Sequence, residues 1–158
     1  MTRAAGALFA LALLLGIAIG VFAPRWRAWL DGGAGPLTVL TPDPACRPLG
    51  ASCSAAGHDL GITVRLGQTV RPLVAFPVEV RLSGPAAAAV RGVEAHFVMV
   101  DMDMGLMRFA LAPQPDGSWH GQALLPVCSN GRSDWQLRLR VQTAGTRYEA
   151  GFPFQAER

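Results

Sequence analysis

Five stretches of this chain alternate apolar and polar residues with a period of two. Val74, Phe76, Val78, Val80 and Leu82 are interleaved with Ala75, Pro77, Glu79 and Arg81. Val93, Ala95, Phe97 and Met99 oppose Glu94 and His96, and Trp119, Gly121, Ala123 and Leu125 oppose His120 and Gln122. Trp135, Leu137, Leu139 and Val141 oppose Gln136, Arg138 and Arg140, and Tyr148, Ala150, Phe152 and Phe154 oppose Arg147 and Glu149. Successive strand side chains point to opposite faces, so each run predicts a strand with one dry face and one wet face. Leu37 to Leu40, Leu60 to Leu66 and Met107 to Leu111 bring the total to about eight short strands, separated by turn signals such as Leu82-Ser83-Gly84-Pro85 and Pro115-Asp116-Gly117. Helical periodicity is missing from the soluble part. This predicts an all-β fold, an immunoglobulin-like or cupredoxin-like antiparallel β-sandwich over residues 36–158, with Pro77 on an edge strand or at a bulge.

The N-terminus obeys a different rule. Ala4 to Ala23 is an uncharged apolar run whose helical length, about 30 Å, matches a bilayer core. It predicts a transmembrane anchor over residues 1–23, followed by a juxtamembrane linker over 24–35 in which Trp26 and Trp29 sit at headgroup level. A long signal peptide is the alternative, but Pro24 directly after the small residue Ala23 disfavours cleavage there. Arg3 on one side is matched by Arg25 and Arg27 on the other, so the positive-inside rule does not orient the span.

Net charge is +3, and those three arginines account for it: residues 31–158 hold 14 − 3 = 11 arginines against 11 acids. A neutral domain on a basic-flanked anchor excludes nucleic acid as the expected partner and makes the lipid bilayer the partner of the basic residues. There is no lysine, GxSxG, HExxH, Walker loop or glycine-rich dinucleotide turn, and no enzymatic activity is expected.

Three cysteines remain. Cys46 and Cys53 frame a short loop containing proline and glycine, which reads as an oxidised loop rather than a metal knuckle and places the domain outside the cytoplasm. Three pairings are open on spacing alone, and two reduced cysteines in a cytosolic domain are the competing reading. Cys128 follows Leu124-Leu125-Pro126-Val127 at a strand end, either as a thiolate ligand or as a buried inert thiol.

The segment Met99 to Arg108 holds four of the five methionines. Thioethers are soft donors that select Cu(I) over zinc or magnesium. Met102 and Met104 share a strand face, and a two-residue type II′ turn at Gly105-Leu106 would bring Met104 opposite Met107, Asp103 opposite Arg108 and Met102 opposite Phe109. The candidate metal ligands are therefore Met102, Met104, Met107 and Cys128. Methionine is also a flexible core filler, and packing against the second sheet competes with ligation. Pairing Met102 with Phe109 conflicts in parity with the inward odd residues from Val93 to Met99, which predicts a bulge near Val100 or an exposed Met102. His58 and His120 are expected in solvent, and His96 lies too far along the strand to join the methionines.

Met102-x-Met104-Gly105-x-x-Arg108, Leu125-Pro126-Val127-Cys128 with Gly131-Arg132 and Trp135, and the ending Phe152-Pro153-Phe154 together resemble a group of small membrane-anchored bacterial proteins. These are often encoded beside Sco/SenC-type copper chaperones for cytochrome oxidase. Cys46 and Cys53 look like that group's paired cysteines, and more loosely the architecture is similar to CopC/YtkA and FixH types. The resemblance implies copper-site candidates at Met102, Met104 and Cys128; Met107 stands where the group's pattern has asparagine.

Two functions follow as expectations. The first is a Cu(I)-binding or delivery module in oxidase assembly or copper tolerance, single-pass in the cytoplasmic membrane with its C-terminal domain in the periplasm, and with a Sco-like chaperone or an oxidase subunit as partner. The second is a metal-free interaction domain that docks on a membrane complex.

Overall fold

The computed structural model describes residues 35–99, 107–127 and 131–157. The expected anchor over 1–23, nearly all of the expected linker over 24–35, Met102, Met104, the expected turn at Gly105-Leu106 and Cys128 lie outside the described residues. No helix among the described residues is long and apolar enough to cross a membrane.

Nine strands are described: β1 (Leu37–Pro42), β2 (Cys53–Ala56), β3 (Gly61–Leu66), β4 (Phe76–Ser83), β5 (Val90–Met99), β6 (Arg108–Pro113), β7 (Ser118–Ala123), β8 (Asp134–Thr143) and β9 (Arg147–Gln155). They close into a barrel in the order β1-β2-β3-β4-β7-β6-β5-β8-β9. The alternating runs behave as their period demands: Phe76, Val78 and Val80; Val93, Ala95, Phe97 and Met99; Trp135, Leu137, Leu139 and Val141; and Tyr148, Ala150, Phe152 and Phe154 are all buried. Phe97 sits at the centre of this core, edge-on to Phe76, Phe109 and Phe154 at centroid distances of 5.5, 5.9 and 6.0 Å.

Consecutive strands reverse direction, so every odd-numbered strand runs one way. With nine strands, the closing contact must join two of the same sense, and β1 and β9 do pair in parallel, Leu37 opposite Arg147 through Leu40 opposite Ala150. This departs from the fully antiparallel arrangement, and its cause is β2, the strand added to the expected set. Two strands change partners along their length. β1 leaves β9 and meets β2 at Thr41 and Pro42, while β6 pairs β5 up to Leu111 and β7 from Ala112. The two faces of the expected sandwich are thereby joined at both sides, and closure removes the free edges that invite aggregation.

Other differences are local. Pro77 lies on β4, which has neighbours on both sides, but the β3 ladder stops at Leu66 opposite Val78, so Pro77 stands just past the end of β3. Val74 precedes β4 and is 54% exposed rather than inward. Pro85–Ala89 forms a short 3-10 turn with no buried residue. Gly117, at φ +81°, closes the β6–β7 hairpin in a conformation that side chains resist.

Candidate functional site

The alternation of strand direction gathers the chemically distinctive segments at one end of the barrel. β1, β3, β5, β7 and β9 finish there and β2, β4, β6 and β8 begin there, as the pairs Met99 with Trp135, Phe76 with Ala123, Leu66 with Val78 and Trp135 with Phe154 require. That end receives the loop carrying Cys46, the segment between Leu66 and Phe76, both flanks of the methionine segment (Met99 and Met107) and both flanks of Cys128 (Val127 and Gly131). The chain enters at Gly35 and Pro36, at the opposite end, where Arg147 donates from its backbone N–H to the Pro36 carbonyl at 3.0 Å.

Cys46 and Cys53 are bonded, with Cα atoms 5.7 Å apart. Cys53 is fully buried on β2, and the intervening loop is fastened by Leu66 N–H to Pro48 O at 2.7 Å and Gly50 N–H to Gly67 O at 3.1 Å. The Arg47 guanidinium donates to the carbonyls of Pro44 and Cys46. Between this loop and the β8–β9 hairpin opens a groove of about 430 Å³, with Leu49, Trp135, Pro153 and Phe154 as apolar walls and Arg47, Asp134 and Gln155 as polar ones. Asp134 is paired with Arg132, whose guanidinium holds its carboxyl below the usual range.

Beside it lies an apolar rim. Leu73, Val74, Leu124 and Val127 are 64%, 54%, 39% and 61% exposed, and Leu73 N–H donates to Leu125 O at 2.8 Å. Leu73 holds φ 61°, a left-handed conformation that is costly for a leucine and tends to persist where surrounding structure imposes it. The rim was readable in principle, because Pro72-Leu73-Val74 and Leu124-Leu125-Pro126-Val127 break the period-two pattern with continuous apolar runs.

Of the four candidate ligands, Met107 alone is described. It is half-buried and packs against the core, and its carbonyl accepts from Phe97 N–H at 3.1 Å. Met99 is buried, at 3% exposure. The β5–β6 register pairs Ala95 with Phe109 and His96 with Arg108. This corrects the expected two-residue hairpin: Phe109 is not opposite Met102, nor Arg108 opposite Asp103. The parity conflict disappears with it, because odd residues of both strands face inward in this register.

The histidines are engaged or remote. His96 was expected on a wet face, yet its side chain is only 8% exposed and its Nε2 lies 3.0 Å from Glu94 Oε2. His120 Nε2 lies 2.9 Å from the Ser118 hydroxyl, and His58 is exposed. No group of three His, Cys, Asp or Glu among the described residues could hold a metal ion.

No family model and no curated protein matches the chain. Among solved structures, the sulfur carrier protein SoxY from Chlorobium limicola f thiosulfatophilum aligns over 88% of this chain and 99% of its own, at 13% identity and a TM-score of 0.41.

Proposed function

We propose that this chain is a membrane-anchored, extracytoplasmic copper-handling module that holds Cu(I) and passes it on, in oxidase assembly or copper tolerance. In this reading the barrel is a closed variant of an immunoglobulin-like or cupredoxin-like sandwich. Residues 1–23 form a single span in the cytoplasmic membrane, residues 24–35 link it to the domain, and the domain lies in the periplasm. The observation that carries the proposal is the convergence of the flanks of the methionine segment and of Cys128 on one barrel end. Both segments carry soft sulfur donors, and thioether and thiolate sulfur suit Cu(I).

The Cys46–Cys53 bond supports an oxidising compartment. Chain entry at the other end supports a delivery role. β8 spans ten residues, so the end where the flanks of the methionine segment and of Cys128 converge lies on the order of 30 Å along the strands from the end that holds Gly35 and Pro36. Copper is cargo here, exchanged between sulfur ligands; the residues of the chain orient and shield it, with no bond chemistry of their own to perform. A Sco-like chaperone or an oxidase subunit fits as the exchange partner.

Competition titration against a Cu(I) chelator under reducing conditions tests the assignment. The full chain in detergent should take up about one Cu(I), and Met102→Leu with Met104→Leu should weaken binding at least tenfold. Unchanged affinity would overturn the ligand set.

A second reading, metal-free docking on a membrane complex, is favoured by the exposed rim of Leu73, Val74, Leu124 and Val127. Pull-down in the presence of a copper chelator separates the two: capture that persists without metal supports docking, and capture that is lost supports copper-dependent exchange.

A further inference from the structure

Charge is unevenly placed on the outer face of the wall formed by β6, β5, β8 and β9. The register sets Arg108, His96, Arg138 and Gly151 side by side across these four strands. Arg108 on β6 and Arg138 on β8 flank His96 from its two neighbouring strands. The next row contains the compensation for a different arginine: Arg140 Nε donates to Glu149 Oε2 at 2.8 Å. Glu94, also in that row, is engaged by His96. Among the described residues, Arg138 bonds the neutral Gln136 Oε1 at 3.0 Å, and neither Arg138 nor Arg108 meets a carboxylate. Both arginines are exposed, while the ring between them is nearly closed off from solvent.

We infer that this row is a binding site for a tetrahedral oxyanion of the phosphate type. Two strand spacings separate the Cα atoms of Arg108 and Arg138 by about 10 Å, so their guanidinium groups can converge over His96 from opposite sides. A tetrahedral oxyanion offers an oxygen edge to each fork, whereas a carboxylate has one edge and satisfies one fork. The Arg138 Nε bond to Gln136 orients that fork and leaves its terminal nitrogens for the ligand. On the far side of Arg138 the Gln136 side chain lies over Gly151. Glu94 opposes an anion, but its carboxylate lies against the ring and is shared with His96 Nε2. This site is independent of copper and stands or falls without it.

The test is a titration of the full chain in detergent with inorganic phosphate at constant ionic strength, read by the ring resonances of His96. A saturable shift is expected. Arg108→Gln with Arg138→Gln should weaken it at least tenfold, and the paired Lys variants, which keep charge but lose the fork, should weaken it by an intermediate factor. Equal affinity in the double Gln variant, or the same shift from chloride alone, would overturn the site. Should that variant fail to fold, the wild-type chain still decides: acetate binding as tightly as phosphate would overturn the tetrahedral assignment. Glycerol 3-phosphate separates the sources. Binding comparable to phosphate identifies a headgroup-type monoester, and binding of phosphate alone identifies the free ion, both in support.

Discussion

Reduction of the Cys46–Cys53 bond should destabilise the barrel by an amount that the loop it closes makes calculable. The cysteines are seven positions apart, and closing so short a loop removes chain entropy from the unfolded state worth about 2.4 kcal/mol at 25 °C. For a domain of this size that lowers the melting temperature by roughly 10 °C. The loop should stay docked after reduction, because the backbone bonds from Leu66 to Pro48 and from Gly50 to Gly67 do not depend on the sulfur bond. The loss should therefore appear as a shifted midpoint in a transition that stays cooperative. Reductant is the cleaner perturbation: replacing Cys53, which is fully buried, would add a cavity to the entropy change. The assay is urea unfolding of the full chain in detergent with and without dithiothreitol, alongside thiol counting in the denatured protein. One free thiol, Cys128, is expected before reduction and three after. An unchanged midpoint, or three thiols from the start, would refute both the bond and the oxidising compartment inferred from it.

Phe97→Ala, which removes the ring shared by Phe76, Phe109 and Phe154, should cost about 3–5 kcal/mol by denaturant unfolding; under 1 kcal/mol would mean that the ring is not central to the core. Asp116 is held down to about 2 from 3.8 by the hydroxyl and backbone N–H of Ser118, with Arg81 adding to the effect. A depressed carboxyl contributes stability that is present above pH 3.8 and is lost as pH falls toward about 2, so Asp116→Asn should flatten the acid limb of the stability profile in that window. An acid limb identical to wild type would show that this carboxylate does not contribute.

The strands with strong contrast between faces were legible. Phe76 to Val80, Val93 to Met99, Trp135 to Val141 and Tyr148 to Phe154 declare their inward side by period alone. β2 did not, because Cys53, Ser54, Ala55 and Ala56 are all small and give the alternation almost no amplitude. That one strand changes the parity of the count and hence the closure, which is why the parallel β1/β9 contact was invisible. The burial of His96 was missed for a related reason. Its outward parity was right, but its cross-strand neighbours Arg108 and Arg138 are fixed by register, which no local pattern carries. The same applies to the methionine segment: glycine before leucine suggested a tight turn, whereas the inward odd residues on both strands hold Ala95 against Phe109 and His96 against Arg108. The cysteine loop was legible from spacing, although its assignment among three pairings needed the fold.

X-ray absorption at the copper edge of the Cu(I)-loaded full chain addresses the copper assignment most directly. The proposal predicts a first shell of sulfur scatterers that loses intensity in Met102→Leu with Met104→Leu and again in Cys128→Ser. A shell of nitrogen or oxygen scatterers, unchanged by those substitutions, would contradict it.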